Sequence, residues 1–131
     1  VTEASTTTDA LNQHISNNIS GETWEVVHYL AMALKADNEG RTEVARTLRD
    51  IALDEAAHGA RFKYLAGEIG DLKEEIGKML AGEEGAFDGK HEGMKEAEAA
   101  GEKEIASFFD TAAHDEGRHA SMLRNLLDRY F

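Results

Sequence analysis

No cysteine occurs in the 131 residues, which removes disulfides, thiolate zinc sites, iron-sulfur clusters and cysteine nucleophiles together; redox chemistry would need other ligands. Proline is also absent, so no helix is broken by a missing N-H or by a ring clashing with the preceding turn. Positive charge is scarce. With 14 Lys and Arg against 26 Asp and Glu, the formal charge is -12, which repels phosphate backbones and anionic lipid surfaces and argues against nucleic acid or a membrane as partner. No apolar run approaches the roughly 20 residues that span a bilayer, and Val1 to Ser20 lacks the basic and apolar regions of a signal peptide. A cytoplasmic location is expected.

What is present favours helix. Ala, Leu, Glu and Lys are abundant, and most runs between glycines are longer than a typical strand, so an all-α fold in a single domain is expected over residues 1–131. Val44, Leu48, Ile51, Glu55, His58, Phe62 and Leu65 follow alternating steps of four and three, the pattern of a helix packed in a bundle. Ile105, Phe109, Ala112, Glu116, His119, Leu123, Leu126 and Tyr130 repeat those steps, with polar residues interrupting the apolar stripe at the same place.

The chain is an internal duplication. A shift of 61 residues aligns Gly21-Glu22 with Gly82-Glu83, Gly40 with Gly101, Asp54-Glu55 with Asp115-Glu116 and His58 with His119. In each half a lone Glu precedes a Glu-x-x-His by 33 positions, with a glycine turn between. At the helical rise, Glu22 and Glu55 both fall about 25 Å from the turn at Gly40 and so face each other at one level; Glu83 and Glu116 do the same around Gly101. The predicted helices run from about Thr8 to Asn38, Thr42 to Ala66, Asp71 to Ala99 and Glu102 to Arg129, forming hairpins of about 9–67 and 71–131, with residues 1–8 poorly ordered. Asp9 and Asp71 suit helix starts. The short link at Gly67 to Gly70 bears on topology, because a parallel crossover along a bundle about 30 Å tall needs roughly nine extended residues. A domain-swapped homodimer is therefore expected, unless the glycine-weakened start of the third helix unravels to lengthen the link.

Glu-x-x-His is a weak signal alone, since this composition gives roughly 0.8 occurrences by chance. Three occur. The third, Glu25 to His28, has Ala86 and Gly89 at the related positions, and His28 reads as an ordinary helix histidine. The other two gain force from their conjunction with Glu22 and Glu83. Four carboxylates buried together require cations, and one Glu from each of two helices plus Glu-x-x-His from the others is the ligand set of ferritin-like di-metal bundles. Glu22, Glu55, His58, Glu83, Glu116 and His119 are thus the expected ligands of two metal ions. The donor set suits iron, with manganese or a mixed pair as alternatives. Asp54 and Asp115 are placed to orient the histidines. His14, His91 and His114 have no related partners and are not expected to bind metal.

Gly21-Glu22-Thr23, Asp54-Glu55-Ala56-Ala57-His58 and Asp115-Glu116-Gly117-Arg118-His119 resemble the rubrerythrin family across nearly the whole chain. The resemblance implies a non-haem di-iron protein that reduces hydrogen peroxide to water, with Glu22, Glu55, Glu83 and Glu116 as catalytic ligands and Tyr29 matching a tyrosine near the metal pair. Many members place a seventh carboxylate three residues after the ligand on the third helix, where this chain has Ala86; Glu25 is the mirror position. That pattern, with Gly85-Ala86, Gly89-Lys90 and Arg129-Tyr130-Phe131, is similar to the reverse-rubrerythrin branch and implies Glu25 as a seventh ligand. A rubredoxin domain is missing, so the implied rubredoxin-type electron donor is a separate protein. A ferroxidase or iron-handling protein would use the same six ligands, and a non-enzymatic helical module is the third reading.

Overall fold

The computed structural model describes residues 8–131, and the expectation of a loosely ordered start falls, apart from Thr8, outside them. Four helices make up the described chain: α1 (Asp9–Asn38), α2 (Thr42–Leu65), α3 (Leu72–Ala99) and α4 (Lys103–Tyr130). The chain divides into two compact units, residues 1–69 and 70–131, each an antiparallel hairpin, α1 with α2 and α3 with α4.

Local chemistry accounts for the boundaries. Thr8 caps α1, its hydroxyl accepting from the Leu11 N-H at 3.2 Å, and Asp71 caps α3 by accepting from the Glu74 N-H at 3.1 Å. Helices α1, α2 and α3 end in one device. Gly40, Gly67 and Gly101 each take a positive φ of 72 to 76°, conformations that cost a side-chain-bearing residue energy. Each glycine N-H and the next N-H turn back onto the last helical turn, as Arg41 N-H does onto the Ala36 carbonyl at 2.8 Å and Glu102 N-H onto the Ala97 carbonyl at 2.9 Å. Two hairpin turns of one design follow from the duplicated Gly40 and Gly101. Helix α3 is already helical at Leu72 despite its glycines, so its first turn does not unravel, and residues 66–71 join the two hairpins.

The seam inside each hairpin is made of alanine. Ala33, Ala36, Ala45 and Ala52 are buried in the first, and Ala97, Ala106, Ala113 and Ala120 in the second. On α2 and α4 they recur every seven residues, so small side chains line one edge and the helices approach closely. The stripe of larger residues lies beside that seam rather than in it: Val44, Leu65, Ile105, Leu126 and Tyr130 remain exposed, and Leu48, Phe62, Phe109 and Leu123 are half-buried. No strand occurs among the described residues.

Candidate metal centre

Each hairpin brings one of the two predicted trios together. Ligand-type atoms of Glu22, Glu55 and His58 lie within 4.8 Å of one another, and so do those of Glu83, Glu116 and His119. His58 Nδ1 is 3.6 Å from Glu22 Oε1 and 3.9 Å from Glu55 Oε2; His119 Nδ1 is 3.6 Å from Glu83 Oε2 and 4.0 Å from Glu116 Oε1. The i, i+3 spacing puts Glu and His of one motif on one face, and the hairpin supplies the second Glu from the facing helix. Gly59 allows this approach in the first hairpin, since a Cβ there would sit 3.2 Å from the Glu22 Cβ. In the second, the Phe87 ring lies over Gly117 beside Glu116, 3.5 Å from where a Cβ would be, an ordinary packing distance.

The electrostatics describe carboxylates awaiting a cation. A hydrogen bond shared with Glu22, then burial, then the charge of Glu22 push the Glu55 carboxyl above its ordinary range, partly offset by a hydrogen bond with Glu25 and the charge of His58. Glu116 is raised in the same way by Glu83 and burial, partly offset by Lys90 and His119. Glu22 Oε2 and Glu83 Oε2 are buried and without a hydrogen-bond partner. A buried carboxylate oxygen left unpaired costs about 1–3 kcal/mol or more, and here one recurs at the related position of each hairpin. A divalent ion in each hairpin would neutralise the repulsion and occupy that oxygen, so the residues of each trio fit a metal ion.

The remaining predicted residues fall on two sides. Glu25 stands outside the trio, half-buried one turn after Glu22 on α1. Tyr29 lies two turns from Glu22 on the same half-buried face. Asp115 pairs with Arg118 at 3.3 Å, and within its hairpin Asp54 is exposed and makes no ion pair with His58. His28 stacks on Trp24, with ring centroids 4.5 Å apart, on an exposed face of α1. His91 meets the Phe87 ring edge-on, and His114 Nδ1 lies 2.8 Å from the Asp110 carbonyl oxygen. Lys90, quoted from the sequence only within the Gly89-Lys90 likeness and given no role at the site, lies beside the second trio, its Nζ 3.8 Å from Glu116 Oε2.

An all-helical chain of duplicated hairpins, each presenting a Glu-Glu-His group from facing helices, defines a di-metal carboxylate class of protein, and its fold class is the ferritin-like four-helix bundle. The sequence model for Rubrerythrin matches residues 14–127. The chain belongs to the rubrerythrin family. It is 44% identical over 122 residues to an uncharacterized protein of Methanocaldococcus jannaschii, covering 92% of this chain and 86% of that one. It is 40% identical over 116 residues to reverse rubrerythrin-1 of Clostridium acetobutylicum, covering 87% of this chain and 64% of that protein, so it spans just under two thirds of that relative's length. No helix among the described residues is long and apolar enough to cross a membrane.

Proposed function

We propose that this protein is a non-haem di-iron peroxidase, reducing hydrogen peroxide to two waters with two protons and two electrons delivered by a separate rubredoxin-type protein. The observation that carries this reading is the recurring carboxylate oxygen left without a hydrogen bond: Glu22 Oε2 and Glu83 Oε2 are buried with no hydrogen-bond partner, each beside a Glu-His pair. Family membership and the relative named reverse rubrerythrin-1 support it.

Glu22, Glu55 and His58 would hold one iron and Glu83, Glu116 and His119 the other, with Glu25 as a seventh ligand beside Glu55. Bound there, two ferrous ions would supply one electron each to the O-O bond of peroxide. The protein's own part is to keep the carboxylates converged against their repulsion and to present the Tyr29 phenol on the same face as Glu22, where it serves as a hydrogen-bond donor to substrate oxygen. Manganese or a mixed pair would fit the same donors.

The link of residues 66–71 is shorter than the roughly nine extended residues that a parallel crossover needs. We propose on that ground that hairpins of two chains complete each bundle in a swapped homodimer.

Anaerobic stopped-flow oxidation of the di-ferrous protein tests the activity. A peroxide reductase consumes hydrogen peroxide at least about tenfold faster than dioxygen and stops at two irons oxidised per site. Faster reaction with dioxygen, followed by continued iron uptake, would instead establish a ferroxidase. Absence of bound metal after native purification, with no loss of stability on chelation, would establish a helical interaction module.

A further inference from the structure

The two halves of the duplication differ where they flank the metal ligands. Glu25 has Ala86 at the related position, and Tyr29 has Lys90. The first hairpin gathers two carboxylates, Glu22 and Glu55, and among the described residues no lysine or arginine pairs with either. The second gathers two, Glu83 and Glu116, and adds an ammonium. Lys90 Nζ lies 3.8 Å from Glu116 Oε2, with only 32% of its side chain exposed. A charge so placed is weakly screened, and it acts on Glu116 in two ways. It competes with a bound cation for the carboxylate's lone pairs, and it repels that cation directly.

We infer that Lys90 is a positioning residue that makes the two half-sites unequal: the half-site of Glu22, Glu55 and His58 fills first and tightly, and that of Glu83, Glu116 and His119 fills second and more weakly. The inference rests on the di-metal reading above. Its physical basis is the charge difference, two carboxylates and a histidine in each trio but an ammonium 3.8 Å from Glu116 Oε2 in the second alone. Lys90 holds Glu116 when the half-site is empty and yields it when metal enters.

Anaerobic calorimetry of Fe(II) binding to the full metal-free chain tests this without reference to turnover. The wild type should bind in two steps whose dissociation constants differ by at least about tenfold. His119→Ala should abolish the weaker step and His58→Ala the stronger. Lys90→Met, which keeps the length of the side chain and removes its charge, should strengthen the weaker step about tenfold and leave the stronger within about twofold; Lys90→Gln should act in the same direction, and Lys90→Arg should keep the gap. Circular dichroism and melting of each variant separate a folding defect from an effect on binding. Two equal steps in the wild type, or a weaker step unchanged or weakened in both Lys90→Met and Lys90→Gln, overturn the inference and leave the di-metal reading standing. No Fe(II) binding by the wild type overturns both.

Discussion

At the residue scale, single atoms decide between opposite outcomes. Glycines on α3 give a matched pair. A Cβ at Gly93 would lie 2.7 Å from the Phe109 ring, whereas at Gly85 and Gly89 it would meet nothing within 4 Å. Gly93→Ala should destabilise by about 1–3 kcal/mol through overpacking, while Gly85→Ala should stabilise by up to about 1 kcal/mol, the helix-propensity gain. Chemical denaturation of the two variants checks the signs. The orphaned carboxylates give a second contrast. Glu22→Gln removes a charge that repels Glu55, so the metal-free protein should melt at a higher temperature, yet Fe(II) affinity should fall at least about tenfold because a neutral amide is a poor ligand for a hard cation. A Glu22→Gln variant that lost stability without metal would show that the carboxylate is not held against repulsion. Glu22, Glu55 and His58 were readable in the sequence because each has a related residue 61 positions on. The place of Lys90 beside Glu116 was not, because duplication marks what is kept, and at this position the chemistry changed from phenol to ammonium.

At the scale of the helices, the boundaries fell within about a residue of those expected, since caps and glycine turns are encoded locally: Thr8 and Asp71 at the starts, Gly40, Gly67 and Gly101 at the stops. The alanine seam was harder to read. In alanine-rich helices a seven-residue recurrence of Ala45 and Ala52, or of Ala106, Ala113 and Ala120, has no contrast in hydropathy, and the larger stripe beside it dominates the pattern. The pairing of Glu22 with Glu55 and of Glu83 with Glu116 across each hairpin also has a pH signature. With Glu55 and Glu116 raised above the ordinary carboxylate range, the folded metal-free protein holds more protons than the unfolded chain between that range and the raised values. Stability should therefore fall as pH rises through that interval. Melting of the metal-free protein should occur at a higher temperature near pH 5 than at pH 7.5, and the Glu55→Gln, Glu116→Gln double variant should flatten the difference. A profile rising with pH in that interval would contradict the assignment.

At the scale of the whole molecule, family and fold class were legible from spacing, because paired intervals of 33 residues and a 61-residue repeat fix which helices face each other at one level. Assembly depends on the link at residues 66–71. Multi-angle light scattering should give a dimer mass, and lengthening the link by about nine flexible residues should shift the population towards monomer; a monodisperse monomer for the unaltered chain would rule out the swap. The central proposal, that Glu22, Glu55, His58, Glu83, Glu116 and His119 hold two metal ions, is tested most directly by anomalous diffraction from crystals of the natively loaded protein, across the iron and manganese edges. The account predicts two anomalous peaks roughly 3.5–4 Å apart, one beside His58 and the other beside His119, with the iron edge dominating. Peaks absent from these six residues, or a single ion bound elsewhere on the acidic surface, would contradict it.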